Sequence, residues 1–214
     1  MTYLELVNDV LVRLREKEVT SVAANSYSKL IGKYVNDIKR QVEDSYNWNA
    51  LSNTITVATT VDVYNYVLTG SGTKFKVMDV INDTDNWTMS YIDSKSMNDL
   101  FLEQPVAKNS PLYYNFNGTQ DGDVLVDIYP VPNKVANIRF NFFIPQATLS
   151  SNSDTILVPA EVVALGAYAK AIVERGEDQG MQSSEAYQLY RSALSDAIAI
   201  ESSQFPNELE WYPE

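Results

Sequence analysis

The chain has 214 residues, 45% of them hydrophobic, which suits one large domain or two small ones and is too apolar for disorder. It contains no cysteine and no histidine, and this excludes disulfides, thiol nucleophiles, zinc centres of the usual kind and every Ser-His or Cys-His catalytic pair. A net charge of −12 disfavours attraction to nucleic-acid phosphates, which need Lys and Arg.

That charge is uneven. Residues 1–48 carry seven basic and seven acidic side chains, residues 49–157 six and eleven, and residues 158–214 three and ten. Met1 is not followed by a basic and then an apolar segment, so no secretory signal is expected. The longest apolar stretch, Val158 to Val173, is broken by Glu161 and Lys170 and is too short and polar to span a bilayer.

Thr2 is placed to cap a first helix whose Leu4, Val7, Leu11 and Leu14 share a face. A second helix is expected from about Ser26 to Tyr46, with Tyr27, Leu30, Ile31, Tyr34, Ile38 and Val42 inward. Lys33–Asp37 and Arg40–Asp44 fall at i,i+4 spacing on its outer face. From Ala50 the period becomes two. Ile55 and Val57 open a first strand, and Val61–Leu68 reads as a second, ended by the turn Gly70–Ser71–Gly72. Phe75–Ile81 and Trp87–Ile92 form the next pair, and Ser96–Met97–Asn98–Asp99 has capping-box form ahead of a short helix. Leu112–Asn117, Val124–Tyr129 and Asn137–Phe143 read as strands, with Asn117–Gly118 and Asp121–Gly122 in the connection before Val124. In the last of them Ile138, Phe140 and Phe142 alternate with Arg139 and Asn141, the mark of a half-buried antiparallel strand.

A third helix is expected to begin with Pro159 at its first position and to end before Gly176. Its Ala160, Ala164, Ala167 and Ala171, with Gly166 beside them, allow close helix approach. A fourth runs from about Ser184 to Glu201, with Tyr187, Tyr190, Leu194 and Ile198 inward. The expected fold is α+β. Helix pairs from residues 1–48 and 158–203 build a four-helix bundle, and residues 49–157 form an inserted antiparallel β-sandwich or barrel-like domain. Residues 204–214 form an extended C-terminal arm in which Pro206 and Pro213 forbid a continuous helix.

Chemistry is sparse. Asp83 and Asp85 lack calcium-loop spacing, since Trp87 and Thr88 stand where an acidic or amide ligand and then Gly are required. Asp121–Gly122–Asp123 reads as a turn, and Gly70–Ser71–Gly72–Thr73–Lys74 lacks phosphate-loop spacing. No carboxylate pair is singled out for glycoside hydrolysis. The chain is therefore expected to be no enzyme and to need no cofactor or metal. Its candidate partner-binding residues are in the arm. Phe205, Leu209, Trp211 and Tyr212 either fold back on their own domain or are anchors that dock on a neighbouring chain, with Glu208 and Glu210 then facing its basic residues.

Four stretches in order resemble the head-to-tail adaptor proteins of short-tailed bacteriophages. They are Leu4-Glu-Leu-Val-Asn-Asp-Val, then Val42-Glu-Asp-Ser-Tyr-Asn-Trp48, then Leu125-Val-Asp-Ile-Tyr-Pro-Val-Pro132, and finally Leu157-Val-Pro-Ala-Glu leading to Glu174-Arg-Gly-Glu-Asp178. The resemblance implies a homo-oligomeric ring, typically of twelve copies, beneath the portal protein at the head–tail interface of the virion. Assembly would take place in the host cytoplasm. It further implies portal contacts from the helical domain and the arm, a tail nozzle or other tail protein at the opposite end, and DNA passing through the lumen without specific binding. A glycan- or receptor-binding β-sandwich of a phage tail is the alternative reading.

Overall fold

The computed structural model describes residues 1–176 and 181–204, and the side chains of residues 181–183 are outside that description. The fold is α+β, with five helices and eight strands in two sheets among the described residues. The chain divides into two compact units, Met1–Leu51 with Pro145–Glu214, and Ser52–Ile144.

The first unit contains α1 (Tyr3–Arg13), α2 (Ser26–Ser45), α4 (Ala160–Arg175) and α5 (Met181–Gln204). The Thr2 hydroxyl accepts the Glu5 amide and the Glu5 carboxylate accepts the Thr2 amide, a complete capping box. The buried face of α1 is Tyr3, Leu6, Val7, Val10 and Leu11, and Leu4 stands half-buried at its margin. On α2 the buried face is rotated from the apolar stripe. Val35, Lys39 and Glu43 are buried, while Tyr27, Leu30 and Tyr34 are half-buried. Pro159 is the cap of α4 and not its first residue, and Gly176 ends that helix with φ 64°. Ala164, Ala167 and Ala171 are fully buried, as expected of a contact stripe.

α1, α2 and α4 pack on one another, and α5 lies chiefly along α4. Close approach depends on two glycines. A Cβ on Gly32 would stand 2.5 Å from the Tyr3 hydroxyl, and one on Gly166 would stand 2.6 Å from Ile38 Cγ2 and 3.0 Å from the Tyr190 ring. Tyr187, expected inward, is 53% exposed because α5 turns Ala186 and Tyr190 toward α4.

The second unit holds β1 (Ser52–Ala58), β2 (Asn65–Leu68), β3 (Lys76–Asn82), β4 (Trp87–Thr88), β5 (Ser90–Tyr91), α3 (Ser94–Leu102), β6 (Tyr113–Gln120), β7 (Asp123–Tyr129) and β8 (Asn137–Phe143). One sheet has the order β1-β8-β3-β4 and the other β2-β7-β6-β5. Both contribute to one apolar cluster that includes Leu68, Val80, Tyr114, Val126, Ile128, Ile138, Phe140 and Phe142. Pairing is antiparallel except between β5 and β6, where Ser90 pairs with Tyr113 in parallel.

The strand expected over Val61–Leu68 begins only at Asn65. Asp62 has φ 66°, and the Tyr66 hydroxyl donates to the carbonyls of Thr60 and Val63, so residues 60–64 form a turn. The single strand expected over Trp87–Ile92 is split. β4 pairs with β3, the buried Met89 donates its amide to the Val80 carbonyl, and β5 then joins the other sheet. The short helix is capped three residues before its apparent box, at Asp93, which accepts from the Lys95 and Ser96 amides. β6 runs on to Gln120. Asp121 and Gly122, at φ 53° and 90°, make the hairpin turn, and Gly118 sits in a register shift within the strand.

Candidate partner-binding surfaces

The expected anchors Phe205, Glu208, Leu209, Glu210, Trp211 and Tyr212 lie outside the described residues. The helical unit that precedes them in the chain is described. There the polar chemistry is concentrated on one side of α2.

The Lys39 ammonium donates to Glu43 Oε1 at 2.9 Å and to the carbonyls of Gln146 and Ala147 at 2.7 and 3.1 Å. Glu43 Oε1 also accepts the Gln146 amide at 3.2 Å. One turn earlier, Asn36 reads the next residues of the same segment. Its Oδ1 accepts the Leu149 amide at 2.9 Å, and its Nδ2 donates to the Leu149 carbonyl at 3.0 Å and to the Tyr3 hydroxyl at 3.2 Å. Asn36, Lys39 and Glu43 lie at i, i+3 and i+7, one helical face. An extended segment has no ladder partner of its own, so its amides and carbonyls need this face to enter a core without loss. Burial pushes the Tyr3 phenol above its ordinary value, against a smaller opposite effect of Asn36.

Sequence reasoning places Lys33–Asp37 and Arg40–Asp44 on the outer face of α2 and passes over Asn36, Lys39 and Glu43. In the structure Asp37 meets Lys170 of α4 at 3.2 Å. The available signal is that Lys39 and Glu43 interrupt an otherwise apolar face between Val35, Ile38 and Val42.

The far end of α4 is tied by Arg175. Its guanidinium donates to the Tyr27 hydroxyl at 2.8 Å, the Leu14 carbonyl at 3.1 Å and Glu16 at 2.5 Å. The Tyr27 hydroxyl contact, ahead of Glu16, holds this guanidinium above its ordinary value. A polar groove beside it is lined by Leu11, Arg15, Lys17, Val19 and Tyr27. A second groove of about 600 Å³ runs among α2, α4 and α5 and is mostly apolar, with Tyr34, Ile38, Val173, Tyr187 and Tyr190 along it.

In the β unit the carboxylates singled out by sequence serve turns. Asp83 pairs with Arg139 at 3.0 Å. Asp85 takes Lys134 at 2.6 Å together with Ser110 and Asn82. Lys134, and after it Ser110, hold the Asp85 carboxyl below the usual carboxylate range. Asp123 accepts the Gly72 amide at 3.0 Å and is likewise lowered, by the Gly70 amide first and then Gly72. Among the described residues no group of three or more Asp or Glu is arranged to hold a metal, and no helix is long and apolar enough to cross a membrane.

These features fasten segments and present grooves. A family model described as SU10 adaptor protein matches residues 1–209, nearly the whole chain. Among curated proteins, none matches it. The match agrees with a phage head-to-tail adaptor and supports a structural role as a virion component. The chain belongs to the SU10 adaptor protein family.

Proposed function

We propose that this protein is a ring-forming head-to-tail adaptor that sits beneath the portal, links it to the tail nozzle or another tail protein, and extends the DNA channel. The observation that carries the reading is the family match over residues 1–209. In this reading the four long helices act as one bundle and the two sheets as a sandwich built into it. Twelve copies surround the lumen. A charge of −12 on each copy keeps DNA mobile by repelling its phosphates and opposes spontaneous ring closure at low salt, so the ring forms on its portal template. The arm, residues 204–214, docks on the portal or an adjacent subunit through Phe205, Leu209, Trp211 and Tyr212, with Glu208 and Glu210 toward basic groups.

Negative-stain micrographs of the purified chain with and without its portal test the reading. Rings appearing on the portal support it, and a chain that never decorates portals removes it. Truncation after Ser203 is expected to abolish attachment while leaving the fold intact. Trp211→Ala or Phe205→Ala is expected to weaken attachment by about 2 kcal/mol if each fills a pocket.

A further inference from the structure

The strand edges of the β unit are unequal. β4 and β5 are edge strands of two residues each, and the edge strand β2 has four. β1 is an edge of seven residues, mostly exposed, that pairs among the described residues with β8 alone and without a bulge. Edge strands are normally guarded by charge, proline, a bulge or shortness. Ser52–Ala58 has no charged residue, no proline and no glycine, and four of its seven residues are Thr, Ile or Val. The other three edges are uncharged too, so what sets β1 apart is its length. Its outer row of amides and carbonyls, in which among the described residues only the Thr54 amide has a local partner, Asn53 Oδ1 at 2.8 Å, is a template for one more strand.

The sequence also contains a matching strand. Residues 207–212, Asn-Glu-Leu-Glu-Trp-Tyr, are bounded by Pro206 and Pro213. Glu208 and Glu210 alternate with Leu209 and Trp211, the period of a strand with one wet face. The flanking prolines confine ladder pairing to this stretch, about one ordinary strand in length. On β1, Ile55 and Val57 stand opposite the buried Phe140 and Ile138 and mark the inward side, so Thr54 and Thr56 mark the outward side. A strand added there would lay Leu209 and Trp211 beside Ile55 and Val57 and set both glutamates outside with the threonines. No carboxylate on β1 opposes them.

We propose that residues 207–212 of one copy add as a strand to the free edge of β1 in a second copy. Backbone bonds would supply affinity and the alternating side chains would supply register. Donor and acceptor are different parts of the chain, so the contact is heterologous and passes from copy to copy until a ring closes. The proposal deepens the adaptor reading and rests on it in requiring adjacent copies.

The absence of cysteine makes the test clean, because any disulfide reports engineered positions only. Full-length Thr54→Cys or Thr56→Cys protein is mixed with full-length Glu210→Cys protein in the presence of portals and oxidised. One of the two mixtures is expected to give at least tenfold more disulfide-linked pair than a Thr88→Cys control on the β4 edge. Adding Thr54→Lys to the Thr56→Cys protein, or Thr56→Lys to the Thr54→Cys protein, whichever mixture links, is expected to cut that yield at least tenfold, with circular dichroism unchanged. Equal yields from both edges, or no linked pair, would overturn the proposal. Rings on portals without the cross-link would remove strand addition and leave the adaptor reading in place. Cross-linking by a chain that never decorates portals would do the reverse.

Discussion

In the helical unit an ammonium and a carboxylate are taken into the core. The Lys39 and Glu43 side chains are 3% and 2% exposed, and they bind each other and the backbone of Gln146 and Ala147. In the β unit the core is aromatic, with Phe140 stacked on Phe142 at 6.0 Å and Phe75 tilted against Phe142 at 4.8 Å. Its ion pairs Lys108–Asp62 and Arg139–Asp83 stay at the surface, and in Lys134–Asp85 the ammonium side chain is exposed though the carboxylate is half-buried. The difference follows from what each unit must satisfy. Strands satisfy their backbone in ladders, and the buried Asp127 carboxylate of the β unit is met by side-chain amides of its own sheet, Asn65 and Asn117, and, among the described residues, by no ammonium that is itself buried. The helical unit takes in an extended segment, residues 146–149, that has no ladder, so side chains of α2 must supply the partners.

The sharpest way to break this comparison is to remove one half of the buried pair. Lys39→Ala removes the ammonium from beside the buried Glu43 carboxylate and leaves the Gln146 and Ala147 carbonyls without that donor. It is expected to cost about 3–5 kcal/mol in urea unfolding. Lys39→Met with Glu43→Leu removes both charges and is expected to cost clearly less, since an apolar pair of similar volume avoids an unmatched charge. If Lys39→Ala changes stability no more than an exposed substitution does, the clamp does not hold the segment.

Overpacking probes the same unit with no change of charge. Gly166→Leu drives a side chain into Ile38 and Tyr190, whose atoms already lie within 3.0 Å of where a Cβ would stand. The expected cost is about 1–3 kcal/mol, read as a lower urea midpoint at constant slope. Ala164→Leu, at a fully buried position of the same helix, is expected to behave alike. A midpoint unchanged by both would mean that α4 does not pack as described.

Legibility followed the same division. Alternation in Asn137–Phe143 announced β8 with its inward Ile138, Phe140 and Phe142, because a strand's period is two and one face is buried. Thr2 and Gly176 announced helix ends for equally local reasons. The split at Met89 was illegible, since a strand that changes sheets keeps the same residue types on both sides of the change. The Asn36–Lys39–Glu43 face was illegible for another reason. A Lys and a Glu at i,i+4 look alike whether they face solvent or a backbone 100 residues away. The expected partner-binding residues of the tail rest on composition alone and lie outside the described residues.

Acid sharpens the comparison in the β unit. The Asp85 carboxyl is held below its ordinary range, by Lys134 first and then Ser110. Its contribution is fully present above the unfolded value of about 4 and is lost as pH falls through the lower folded value. Asp85→Asn is expected to flatten the stability profile of the protein below about pH 4, with an effect smaller than that of Gly166→Leu. A profile as steep as that of the parent protein would show that other carboxylates carry the acid response.

The smallest effect is expected at Lys108–Asp62. Its atoms approach to 2.6 Å, closer than those of the buried pair, and distance alone would rank it the stronger. Both side chains are 57% exposed, however, so water already solvates each charge and salt screens their attraction. Holding two long side chains together also costs rotamer entropy. Lys108→Ala is therefore expected to change stability by about 0–1 kcal/mol, and by less in 0.5 M salt than in 0.05 M salt. The buried pair provides the contrast, because salt cannot reach Lys39 and Glu43 and the cost of Lys39→Ala should not depend on it. A double-mutant cycle over Lys108 and Asp62, run at both salt concentrations, measures the coupling directly. A coupling above about 2 kcal/mol that resists salt would show that the β unit, too, depends on its ion pairs, and the contrast between the two units would fail.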